Sequence, residues 1–155
     1  MIKDWENVDV TNAPDVLAHA LKLYHPHIAL ASSFSLEDAV IMDMLSKTRK
    51  DARIFALDTG RLNPETYECA ESIRQKYGMN IEWYFPKHDA VEKLEREKGL
   101  FSFRESVENR KECCHIRKVE PLSRAIQGLQ AWITGLRREQ SVTRTELQVV
   151  EIDEA

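Results

Sequence analysis

Residues 27–38 read His27-Ile-Ala-Leu-Ala-Ser-Ser-Phe-Ser-Leu-Glu-Asp38, and this stretch decides the fold. Residues 28–31 form a short apolar run without alternation, which suits a strand buried on both faces. Ser32 and Ser33 end it. Ser35-Leu-Glu-Asp38 then reads as a capping-box-like helix start, with an acid three residues after the serine. The helix it opens carries Ala39, Val40, Met42, Met44 and Leu45. A buried strand running directly into a helix is the unit of a parallel sheet.

The same unit recurs to either side. Asn12 is placed to cap a helix with Pro14 in its first turn, and Val16, Leu17, Ala20, Leu21 and Tyr24 recur at helical spacing until Pro26 stops it. A second strand over 53–58 ends at Thr59-Gly60. Asn63-Pro64 caps and starts a helix over 65–77, and Gly78 closes it. Residues 80–86 suit a third strand, 88–98 a charged helix ended by Gly99, 111–127 a further helix and 130–136 a fourth strand. Residues 146–152 alternate like the beginning of a fifth. The alternation predicts an α/β fold, a parallel sheet with helices on both faces, as one domain over 1–155. Ligands of such sheets bind at the carboxyl ends of the strands, where the strand order reverses. The candidate site is therefore built from 33–35, 58–61 and 135–138.

Composition bounds the function. The 155 residues are 43% hydrophobic and 31% charged, ordinary for a folded globular domain and unlike a disordered one. A net charge of −4 offers no general attraction to nucleic acid or acidic lipid, so an anion site needs locally placed cations. The N-terminus lacks a basic segment followed by an apolar run, and no apolar stretch is long enough to cross a bilayer. No nucleic-acid or membrane partner is expected. Three cysteines without an export signal point to metal or redox chemistry and a cytoplasmic location.

Four segments carry the chemistry. At Ser33-Phe34-Ser35 the positive end of a helix dipole and unpaired N–H groups favour phosphate or sulfate, with serine hydroxyls as added donors. Alone, the segment reads more simply as a plain helix cap at Ser35 with nothing bound. At Leu57-Asp-Thr59-Gly60-Arg61, glycine permits close approach and arginine supplies a cation, while an adenine could bond the backbone at Leu57; a glycine turn with a solvated arginine is the alternative. Gly135-Leu-Arg137-Arg138 is joined by Arg144, and forked guanidinium groups match phosphosulfate oxygens. Cys113-Cys114 is the most unusual feature. Neighbouring helical cysteines do not readily close a disulfide, but they could share a metal centre, and Lys111, Arg117 and Lys118 would favour thiolates. A chance pair, one buried and one exposed, is the plain alternative. Cys69 reads as a small buried residue.

Ser-Phe-Ser-x-Glu-Asp at 33–38, Leu-Asp-Thr-Gly-Arg-Leu-x-Pro-Glu-Thr at 57–66, Cys-Cys-x-Ile-Arg-Lys-Val-Glu-Pro-Leu at 113–122 and Gly-Leu-Arg-Arg-x-Gln-Ser-x-Thr-Arg at 135–144 stand in the order found in the adenylylsulfate/phosphoadenylylsulfate (APS/PAPS) reductase family. The chain resembles its iron–sulfur, APS-reducing type. The resemblance implies an adenine-nucleotide α-hydrolase-like (Rossmann-like) fold. It also implies that Ser33, Phe34, Ser35, Leu57, Gly135 and Arg144 contact the nucleotide, with Thr59, Gly60, Arg61 and Arg137 beside them.

By the same resemblance, Cys113 and Cys114 would be two ligands of a [4Fe–4S] cluster, and Lys118 would lie between cluster and phosphosulfate. Family chemistry is nucleophilic: a cysteine thiolate attacks the sulfur of APS and releases AMP, and thioredoxin then resolves the S-sulfocysteine to sulfite. Residues 1–155 match neither the remaining Cys-x-x-Cys nor the Glu-Cys-Gly-x-His segment bearing the nucleophile. The expectation is a polypeptide cut short, able to bind nucleotide but not to reduce sulfur. An unfinished sheet edge would then offer a surface for association into a homo-oligomer. An inert adenine-nucleotide-binding module, a PAPS reductase and an ATP-dependent sulfurtransferase are the competing readings. Leu36, where relatives often have a small residue, is expected to narrow the phosphate loop.

Overall fold

The computed structural model describes residues 3–137, 139 and 147–153. Four parallel strands form one sheet in the order β3-β2-β1-β4, with β1 Ile28–Ser32, β2 Arg53–Leu57, β3 Ile81–Tyr84 and β4 Ala131–Thr134. β1 lies between β2 and β4, pairing Ser32 with Ala56 on one side and Ala31 with Thr134 on the other. The chain steps outward from β1 to β2 to β3, then returns across the sheet to place β4 on the far side of β1. That reversal is the switch point, and it falls between β1 and β4.

The helices divide between the two faces as the alternation predicts. α1 Ala13–Tyr24, α2 Leu36–Thr48 and α3 Pro64–Tyr77 cover the face bearing Ile28, Leu30, Ile54 and Ala56, and they contribute Leu17, Leu21, Met42, Leu45 and Ile73 to one core. Leu30, Met42, Leu45 and Ile54 are fully buried, each contributing about 1.5–3 kcal/mol relative to an exposed position. The opposite face, with Ala29 and Phe55, is covered by Ala125 and Leu122 of α6 Glu120–Ile126. Crossovers made while stepping one way lie on one face, and the return crossover lies on the other, as right-handed connections require.

Several boundaries differ from expectation. The helix placed at 111–127 begins earlier, as α5 Val107–Cys114, because the Ser106 side chain accepts the Asn109 N–H at 3.1 Å and caps it. It then widens into a π-helical turn over His115–Val119 before α6. Asn12 and Asn63 occupy N-cap positions without a side-chain cap bond; the Asn12 amide instead donates to Asp15 at 2.7 Å. α4 His88–Lys98 ends at Gly99 as expected, followed by a 3-10 turn at Ser102–Arg104 that the pattern did not reveal.

The expected fifth strand is not formed at 147–152; Glu146 lies outside the described residues. Val150 packs on the first core and Asp153 accepts the Trp132 indole N–H at 3.1 Å, so this segment lies against β4 through side chains. Ile152 stands 74% exposed, which removes the burial that would hold an alternating strand in register.

Candidate functional site

The loop leaving β1 is organised by one carboxylate. Asp38, in the first turn of α2, is 3% exposed and accepts the Ser33 N–H at 2.7 Å, the Ser33 hydroxyl at 2.9 Å and the Ser35 N–H at 3.4 Å. The Phe34 N–H goes to the Ser32 hydroxyl oxygen at 3.0 Å. Three consecutive loop amides are thereby turned onto the protein's own oxygens. Phe34 takes a left-handed backbone (φ 61), uncommon for a residue with a side chain, and its ring packs 5.5 Å from that of Trp83. Such a local strain persists only where surrounding contacts over-determine it. Leu36, the first residue of α2, is 78% exposed.

The loop leaving β4 closes against the same turn. A Cβ built on Gly135 would stand 2.3 Å from Asp38 Oδ1 and 3.1 Å from Glu37 Cβ, so only glycine fits this approach. Arg137, two residues on, pairs with Glu37 at 2.6 Å, with the arginine more than half exposed and the acid largely covered. The loops after β1 and β4 therefore meet at the switch point, with a guanidinium at its rim. Arg138 and Arg144 lie outside the described residues.

The loop leaving β2 is turned by Asp58, which is buried and accepts the Gly60 N–H at 2.7 Å and the Tyr67 hydroxyl at 2.8 Å. That bond to a carboxylate holds the Tyr67 phenol above its usual range. Gly60 adopts φ 71, which the turn requires. Leu57 ends β2 half-buried beside it. Arg61 pairs with Glu95 of α4 at 2.9 Å and lies 4.6 Å over the Phe103 ring, so its charge is shared rather than solvated.

The cysteines end α5. Cys113 is buried, Cys114 is exposed and neither is in a disulfide. Lys118 is exposed on the π-helical turn. Arg117, expected to favour thiolates, is 7% exposed; its Nη1 donates to the Thr59 carbonyl at 2.8 Å and its Nη2 to Glu95. The neighbouring acid offsets its charge at the thiols. One buried and one exposed thiol is the arrangement of the plain alternative, while two free thiols at one helix end are also the donor type of half a four-thiolate set. Among the described residues no group of three or more His, Cys, Asp or Glu gathers that could hold a metal ion, so the other ligands would have to come from elsewhere. Cys69 is half-buried, its Sγ 3.9 Å from the Phe34 carbonyl.

The structure thus brings 33–35 and 135–137 together, and it joins 57–61 to the cysteine helix through Arg117. Sequence reading placed Asp38 in a capping box, which the structure forms, and Asp58 among the site residues without its role as the turn's acceptor; it passed over Tyr67 and Glu95. The usable signal was the acid three residues after Ser35 and the acid directly after an apolar strand. Among the described residues no helix is long and apolar enough to cross a membrane.

Known proteins of similar sequence and fold are reductases of adenylated sulfate. A Burkholderia cepacia adenosine 5′-phosphosulfate reductase is 47% identical over 141 residues, which cover 91% of this chain and 56% of that protein. The chloroplastic 5′-adenylylsulfate reductase 1 of Arabidopsis thaliana is 46% identical over 140 residues, 90% of this chain and 30% of the relative. The chain thus spans about half the length of the bacterial relative and under a third of the plant one. The crystal structure of phosphoadenylyl-sulfate (PAPS) reductase from Candida auris in a phosphate complex superposes with a TM-score of 0.76 at 27% identity, covering 94% of this chain and 69% of that one. The sheet therefore has the adenine-nucleotide α-hydrolase-like arrangement. With residues 27–155, all four strands and every candidate loop included, matched by the phosphoadenosine phosphosulfate reductase domain, the chain belongs to that family.

Proposed function

We propose that this chain is the nucleotide-binding part of a reductase that converts adenosine 5′-phosphosulfate to sulfite and AMP, in the cytoplasm, for sulfate assimilation. The observation that carries the reading is the meeting of the β1 and β4 exit loops, with Gly135 against Asp38 and Arg137 at the rim. In this reading the adenosine would lie along 33–35, 57 and 135, with the phosphosulfate toward Arg61 and Arg137. Guanidinium forks suit its oxygens and screen them from an approaching anionic nucleophile. Relatives 43–48% identical to the chain are named for the substrate without a 3′-phosphate, which favours APS over PAPS.

In the whole protein, a cysteine thiolate attacks the substrate sulfur, the bond from sulfur to the AMP phosphate oxygen breaks, and AMP leaves. A thioredoxin thiolate then attacks the cysteine sulfur and expels sulfite, and its second thiol closes the thioredoxin disulfide, supplying both electrons. Cys113 and Cys114 would be two ligands of a [4Fe–4S] cluster, which would tie the end of the cysteine helix to its remaining thiolate ligands, and Lys118 would supply positive charge between it and the phosphosulfate. The test is sulfite release by the full-length protein with thioredoxin. APS turnover at least about tenfold above PAPS is expected. Preference for PAPS, or no sulfite from either, would overturn the reading.

A further inference from the structure

We propose that Arg117 and Glu95 are positioning residues that couple the loop leaving β2 to the cysteine-bearing helix, so that nucleotide binding at one is felt at the other. This rests on the nucleotide reading above and extends it. The π-helical turn over His115–Val119 turns Arg117 inward while Cys114 and Lys118, three residues before it and one after, stay exposed. From there its guanidinium reaches the Thr59 carbonyl at 2.8 Å and packs against the bare face of Gly60, where a Cβ would lie 3.2 Å from Nη1. Arg61 reaches the other way, over Phe103 at 4.6 Å, in the turn that leads into the cysteine helix.

The two arginines converge on one atom, Glu95 Oε1. Arg117 Nε and Glu95 Oε2 are buried without a hydrogen-bond partner among the described residues. Buried ion pairs are weak stabilisers but strict geometric constraints, and incompletely bonded ones are poorer stabilisers still. A cheaper way to pack this position is an apolar side chain. What the charged version supplies is a fixed distance between Thr59-Gly60 and the helix end carrying Cys114. An anion drawing on Arg61 changes its share of Glu95, and Arg117 transmits that change to the helix.

The test is amide hydrogen exchange on the 155-residue chain with and without saturating AMP, with calorimetry confirming occupancy. AMP is expected to slow exchange at 57–61 and also at 107–119 by at least about threefold. In Glu95→Gln, which keeps the shape, the effect at 107–119 should vanish while that at 57–61 persists; Arg117→Lys should do the same. A merely structural role would raise exchange in both states and leave the AMP-dependent difference intact, and that result overturns the inference. So does wild-type protection confined to 57–61 with AMP bound. Failure of AMP to bind the unmodified chain would instead overturn the nucleotide reading, and this inference with it.

Discussion

Gly135 and Asp38 touch across the switch point: a single added carbon on the glycine would stand 2.3 Å from the carboxylate that holds the loop leaving β1. Any side chain there forces Asp38 off Ser33 and Ser35 or pushes β4 away from β1. Gly135→Ala is therefore expected to destabilise the fold by about 1–3 kcal/mol and to weaken AMP binding beyond detection at micromolar ligand. Thermal melting and calorimetry measure the two effects. A variant that binds AMP as the parent does would refute the tight approach.

Asp38 itself serves three donors from the loop. Asp38→Ala removes their shared acceptor; Ser33 is exposed and can turn to water while Ser35 is half-buried, so the cost is about 0.5–1.5 kcal/mol. The left-handed Phe34 should then relax, since its neighbours on both sides are released. Chemical-denaturant melts give the stability change, and the Trp83 fluorescence, sensitive to the ring 5.5 Å away, reports the loop. An unchanged melt with unchanged fluorescence contradicts the role assigned to Asp38.

The positions of the strands were legible because 28–31 and 54–57 are apolar runs bounded by polar or turn residues, and the parallel arrangement followed from their alternation with helices. The serines after β1 and the glycines and arginines after β2 and β4 pointed to the right end of the sheet. Other features needed three dimensions. Arg117 reads as surface cation on a regular helix; the π-helical turn that carries it inward leaves no mark in residue type. Phe34 at φ 61 stands where glycine is the usual expectation. The alternation at 146–152 imitates a strand, yet the side chains of Val150 and Asp153 tie the segment down instead. Whether Arg144 joins Arg137 lies outside the described residues.

Arg137 carries a prediction of its own. Its partner Glu37 already holds it over the crevice at 2.6 Å. Arg137→Ala should weaken APS by about 1.5–3 kcal/mol, the range for a hydrogen bond to a charged group, and leave adenosine nearly unaffected. Competitive binding of the two ligands separates these outcomes; equal losses for both would remove arginine from contact with the anion.

Acid sensitivity follows from β2 and β3. Arg53 and Glu82 form a two-pronged ion pair at 2.8 and 3.0 Å across neighbouring strands. The Arg53 hydrogen bonds hold the Glu82 carboxyl below its ordinary value of 4.5. A depressed folded-state value means the stabilisation is full above the unfolded value and is lost as pH falls through the folded one. Melting temperatures should therefore fall as pH drops below about 4.5, and Glu82→Gln should flatten part of that slope. A slope unchanged by the substitution would assign the acid limb to other carboxylates.

Calorimetric titration of the chain with APS, beside the same titration of Gly135→Ala, addresses the central claim directly, because it asks whether the meeting of the β1 and β4 exit loops is a nucleotide site. The account predicts saturable binding of one APS per chain and its loss in the variant. Heat no greater than dilution at millimolar APS, or equal binding by both proteins, would contradict it.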